Sequence, residues 1–157
     1  MIKTVGAAAA GPAVTRDNLG AWLLKGNADR ADLLGRFARD PRIDRWCVQP
    51  SYRLDLMAAG QPVVFWGSGS RRRDVPYGIW GWGRLRGPAR REPGAGPWVP
   101  LDVTIADPGA WIARDTLRAH PELCDLEVLR QPQAANPSFV TDRQWRLLRH
   151  EFGVASR

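Results

Sequence analysis

Cysteine, histidine and lysine are scarce in this chain. Cys47 and Cys124 are the only two cysteines, and they stand far apart without CxxC or metal-ligand spacing. Neither a disulfide framework nor a zinc centre is expected from them. Two histidines, His120 and His150, are likewise too few and too scattered to build a metal site, so no metal or other cofactor is expected. No apolar run approaches the roughly 20 residues that cross a bilayer, which argues against a membrane helix. The leader MIKTVGAAAAGPAV is one lysine followed mostly by small residues, too weakly apolar for a secretory signal, and the protein is read as intracellular, in the cytoplasm. A Ser/His/Asp set and a GxxxxGK[ST] phosphate loop are also missing, and GSGS at 67–70 reads as a turn.

What the chain does have is arginine and apolar bulk. At 157 residues and 44% hydrophobic content it can bury one proper core, whereas two domains would each be marginal. The formal net charge is +7, carried by 21 arginines and two lysines, which favours an anionic partner without identifying it. Between Arg71 and Arg91 there are seven arginines against one acid, Asp74. A solvated face accounts for such a patch as well as a phosphate contact does.

Residues 1–18 lack periodicity and read as a flexible tail. AWLLKG then reads as a short buried strand. Asp29 is placed as the cap of a helix whose apolar face is Leu33, Leu34 and Phe37, stopping before Pro41. QPVVFW, opened by Gly60, is an apolar run of strand length that ends in the basic turn GSGSRRR. Val99, Leu101, Val103 and Ile105 alternate with Trp98, Pro100, Asp102 and Thr104, the pattern of a half-buried strand. A short helix is expected from Arg114 to Ala119, ended by Pro121, and a short strand from Leu126 to Arg130. Thr141 and Gln144 form a capping box, with Val140 and Trp145 at the staple positions, so a helix runs from Asp142 to about Phe152. Trp145, Leu148 and Phe152 should face the core.

Two stretches carry chemistry. RWCVQPSYR, Arg45 to Arg53, sets an aromatic ring beside polar groups and two arginines, after a short helix and ahead of an apolar strand. That suits a flat, polar, anionic ligand such as a nucleotide, whose base stacks on indole and whose phosphates attract guanidinium. The competing account is a core tryptophan at a helix end. In the strand from Tyr77 to Arg86, simple alternation places Ile79, Gly81, Gly83 and Leu85 on one side and Trp80, Trp82, Arg84 and Arg86 on the other. The second face suits stacking and phosphate contact, although packing of both tryptophans with the arginines turned outward is the better account.

The order of motifs resembles an EVE domain. The resemblance rests on WLLK at 22–25, the Trp46 segment, GQPVVFWGSG at 60–69, YGIWGWGRL at 77–85, WVPLDV at 98–103 and NPSFVTDRQW at 136–145, and covers residues 20 to 152. It implies one PUA-like domain over 19–153, related to YTH domains. The implied fold is α+β, with a strongly curved mixed sheet or barrel flanked by short helices. The implied function is a non-catalytic reader of a modified base in DNA or RNA, such as a modified cytosine or N6-methyladenine. In similar domains a strand-end lysine with small polar residues lines the base pocket, a place matched by Lys25, Gly26 and Asn27. A cage tryptophan with a small neighbour follows the first helix, matched by Trp46 and Cys47, and the polar residues after it correspond to Ser51, Tyr52 and Arg53. Where the family has Gly-Asp before the central strand this chain has Gly60 and Gln61. Where the family ends that strand in Tyr-His-Ser, this chain has Trp66, Gly67 and Ser68.

The implied mechanism turns the base out of its strand to lie against Trp46, with a second wall from Trp66 and with Ser68 at the pocket. Flipping costs a few kcal/mol and stacking returns roughly 1 to 3 kcal/mol, so backbone contacts must add affinity. Arg53, Arg71, Arg72, Arg73 and Arg84 are the candidates for those contacts. Two other classes compete. A base-modifying enzyme needs a positioned acid or nucleophile, for which Asp44 and Asp55 are the nearby candidates. A protein-interaction module would use exposed tryptophans as anchors.

Overall fold

Continuous apolar sequence puts two parallel strands at the centre of the molecule. The structure, a computed structural model, describes residues 11–30, 32–68 and 76–155. β1 (Leu19–Asn27) and β3 (Pro62–Ser68) lie side by side in parallel, with Trp22 opposite Val63 and Leu24 opposite Phe65. Both are buried on both faces, as parallel strands are when elements pack on either side. The other strands join antiparallel: β2 (Arg42–Cys47), β4 (Gly78–Leu85), β5 (Trp98–Ile105), the short β6 (Ile112–Ala113) and β7 (Ser138–Thr141). The order across the seven-stranded sheet is β2-β5-β4-β3-β1-β7, with β6 pairing β4. Among the described residues four short α-helices complete a mixed α+β fold: α1 (Leu33–Arg39), α2 (Arg114–Ala119), α3 (Glu127–Arg130) and α4 (Asp142–Phe152).

The sheet curls. Five inter-strand spacings of about 4.8 Å would separate β2 from β7 by about 24 Å in a flat sheet. Yet the Gln49 N–H, just past β2, donates to the Asn136 carbonyl, just before β7, at 2.9 Å. Inside the curl lies one apolar cluster, to which β1, β2, β3, β4, β5, β7 and α1 all contribute, including Trp22, Phe37, Ile43, Phe65, Trp80 and Phe139. A second cluster, with Leu23, Trp66, Ile79, Val140, Trp145 and Leu148, covers the outer face beneath α2, α3 and α4.

Several expectations are corrected. Residues 11–18 are no loose tail, because Val14 is buried in the inner cluster and its carbonyl accepts from the Tyr52 hydroxyl at 3.1 Å. The cap of α1 is Asp32 rather than Asp29, its carboxylate accepting from the Gly35 N–H at 3.0 Å. Trp46 stands on a strand, β2, and not at a helix end. The segment after Leu126 is helical instead of extended. A turn of helix there buries Leu126 and Val128 in the outer cluster while Glu127 reaches a charged partner, described below.

The alternation expected in β4 also fails, at one residue. Phe65 pairs with Gly81 but Trp66 pairs with Ile79, so Trp80 is an extra residue, a β-bulge. The bulge sends Trp80 into the inner cluster, stacked on Trp111 with ring centroids 4.4 Å apart, while Trp82 packs half-buried on the outer one. Among the described residues no helix is long and apolar enough to cross a membrane.

Candidate functional site

The ends of β1, β2 and β3 meet at one mouth of the curl, and Lys25 is its pivot. Its N–H donates to Asn136 Oδ1 at 2.9 Å, and Asn136 Nδ2 donates back to its carbonyl at 3.0 Å. That carbonyl also accepts from the indole N–H of Trp46 at 3.0 Å. The Asn136 amide thus extends the β1–β7 ladder by side chain beyond its last backbone pair, Leu23 with Ser138. The Lys25 ammonium donates to the carbonyls of Pro132 and Ala134. Burial lowers its pKa below the usual lysine value, the Glu127 carboxylate opposes that, and Arg53 adds to it.

Trp46 is half-buried and held in place by its rim. Its ring meets Phe65 edge-on at 4.9 Å, and the Arg36 guanidinium lies 5.6 Å from it. Gly26 leaves room for this arrangement, since a methyl there would lie 2.6 Å from the Phe65 ring and 3.0 Å from Trp46. Asn27 is exposed, its side chain accepting from the Asp29 N–H, and the Ser68 hydroxyl donates to the Gly26 carbonyl at 3.4 Å. Lys25, Gly26, Asn27, Trp46 and Ser68 are therefore brought together as expected.

Other expected residues lie elsewhere. Trp66 belongs to the outer cluster, across the sheet from Trp46, and cannot form a second wall for a base held there. Cys47 is exposed on the face of β2 opposite Trp46, because successive strand side chains alternate. Ser51 is spent as a cap, accepting from the Arg53 N–H at 3.2 Å, and Tyr52, 53% exposed, reaches toward Val14. Arg53 is no free phosphate contact. Its guanidinium grips both Glu127 oxygens, at 2.7 and 2.8 Å, and donates to the Pro137 carbonyl at 2.9 Å. Arg84 is exposed on the outward face, in register with Asp102. Arg71, Arg72 and Arg73 fall outside the described residues.

Asn136 and Glu127 were not singled out from the sequence. An Asn before Pro reads as a turn, and nothing local announces that its amide clamps a strand 111 residues away. Glu127 did leave a signal, an acid between buried Leu126 and Val128, which must find a partner. Of the acids considered for catalysis, Asp44 is exposed beside the bulge of β2 and Asp55 lies 3.5 Å from Arg91. No tryptophan is fully exposed: Trp22, Trp66, Trp80 and Trp145 are buried and Trp46, Trp82, Trp98 and Trp111 partly so. Among the described residues no three His, Cys, Asp or Glu side chains are grouped to hold a metal ion.

No family model and no curated protein matches this chain. Solved structures do. A hypothetical protein from Leishmania major superposes with a TM-score of 0.62 at 16% identity, over 91% of this chain and 100% of its own. A protein from Agrobacterium tumefaciens gives 0.60 at 16% identity over 87% and 95%. One from Pseudomonas syringae gives 0.57 at 20% identity over 84% and 99%. These likenesses establish a shared α+β fold across nearly the whole chain, and a shared fold does not carry a function with it.

Proposed function

We propose that the chain is an EVE-type, PUA-like domain that binds nucleic acid and reads a modified base without catalysing a reaction on it. The observation that supports this best is the mouth itself: a half-buried indole fixed at its edge, beside Lys25, Gly26, Asn27 and Ser68. A ring already locked by the bond to the Lys25 carbonyl loses little freedom when a base stacks on it, which favours recognition. On this reading backbone groups near Gly26 and Asn27 meet the polar edge of the base. With Trp66 on the other face, the base has one aromatic wall, so its affinity must lean on the strand's phosphates as well.

The test is equilibrium binding to matched oligonucleotides carrying cytosine, 5-methylcytosine, 5-hydroxymethylcytosine, adenine or N6-methyladenine, as DNA and as RNA. One modified base is expected to bind best. Trp46→Ala removes stacking worth about 1–3 kcal/mol and weakens that complex about 5- to 150-fold, and Trp46→Phe, which keeps a ring against Phe65, controls for folding. Equal affinity for every base, unchanged in both variants, contradicts the reading.

A further inference from the structure

The outward face of β2 and β5, across those strands from Trp46, carries a second aromatic centre. Trp98 is half-buried at the start of β5, its indole N–H donating to Glu92 at 3.2 Å. Two guanidiniums lie over its ring, Arg45 at 3.7 Å and Arg90 at 5.2 Å from the centroid. At 3.7 Å Arg45 is in contact with the ring face, which restrains a long side chain before any ligand arrives, and among the described residues its N–H groups have no acceptor. Arg86 and Asp44 share with them the wall of a cavity of about 370 Å³. Among the described residues none of Arg45, Arg86 and Arg90 is salt-bridged, whereas Arg53, Arg91 and Arg143 each hold a carboxylate. Three arginines against Asp44 in the wall and Glu92 at the indole edge leave this cavity net positive.

We infer that this Arg45–Trp98–Arg90 stack, with Arg86 beside it, is a second binding site, for phosphodiester groups of a single strand whose base occupies the mouth. The inference rests on the nucleic-acid reading above. Guanidinium forks match phosphate oxygens bidentately, and the stack supplies two of them already oriented. Continuity selects the occupant. Cys47, next in chain to Trp46, is in register with Trp98, so the two sites sit on opposite faces of the same strand ends and one polyanion crossing that rim meets both. The placement also supplies the backbone affinity that a single aromatic wall cannot, now that Arg53 is committed to Glu127.

The experiment is a salt titration of binding to unmodified and modified single-stranded oligonucleotides about 12 nucleotides long, within the site sizes of single-strand binders. Each lost phosphate contact on a single strand lowers the slope of log K against log salt by about 0.7, so Arg45→Gln/Arg90→Gln should lower it by roughly 1.4. The loss should be equal for modified and unmodified strands, because phosphate contacts do not read the base. Arg118→Gln/Arg149→Gln, on α2 and α4, removes the same charge elsewhere and should change the slope far less. A wild-type slope in Arg45→Gln/Arg90→Gln overturns the inference, as does an equal loss in the control pair. If the slope falls as expected but no modified base is preferred, the base-reading proposal fails and this one stands. If preference persists while the slope is unmoved, this one alone fails. Binding of polyglutamate as tightly as the oligonucleotide reassigns the face to an acidic protein and also overturns it.

Discussion

Arg53 and Glu127 sit largely out of water, with side-chain exposures of 19% and 8%, and they join the turn after β2 to α3. Glu127 also accepts from the Phe139 N–H at 3.2 Å, so one carboxylate ties the turn, the helix and β7 together behind the mouth. Exposed ion pairs contribute little, but removing one partner of a buried pair strands the other charge at a cost of roughly 3–5 kcal/mol. Glu127→Ala is therefore expected to lower the thermal midpoint by about 10 °C, taking about 2–4 °C per kcal/mol for a chain of this size. Breaking the exposed Arg42–Asp40 pair should leave it nearly unchanged. Thermal unfolding followed by circular dichroism measures both, and equal midpoints for the two variants would remove Glu127 from the account. Arg53 also shows why residue roles were only partly legible. Its charge and neighbours are visible in the sequence, but its partner lies 74 residues away.

At the level of elements, local signals were legible where the physics is local. The Thr141–Gln144 capping box forms as its residues dictate, with both reciprocal bonds present. The alternation in WVPLDVTI gives β5 its buried Val99, Leu101, Val103 and Ile105. The apolar runs of β1 and β3 became the parallel centre. What failed was set by partners distant in sequence. β2, with charged residues at three of its six positions, becomes a strand by pairing with β5, and the bulge at Trp80 arises from the register between β3 and β4. Gly67, paired with Gly78 one step beyond the bulge, leaves room for the displaced ring: a methyl there would lie 2.1 Å from Trp80. Gly67→Ala should therefore push the indole from its stack on Trp111 and cost about 1–3 kcal/mol. A loss of denaturation midpoint is expected, and wild-type stability would show that the bulge tolerates a side chain.

Across the whole molecule, curling the sheet closes an apolar interior and brings the ends of β1 and β2, not neighbours in the strand order, within one hydrogen bond of each other. The mouth is a product of that closure, which is why a linear reading found its residues through resemblance but not the Asn136 clamp. On the proposed reading the net charge of +7 acts at this scale too, by drawing a polyanion in, and the two aromatic centres on opposite faces of one rim would decide how it lies. Eight tryptophans make the arrangement directly observable. With the indole N–H resonances assigned in ¹⁵N-labelled protein, an oligonucleotide carrying the preferred modified base should shift the Trp46 signal and leave the fully buried Trp22 and Trp80 signals in place. An unmoved Trp46 signal at saturation, whatever happens at Trp98, would show that no base enters the mouth and would contradict the account.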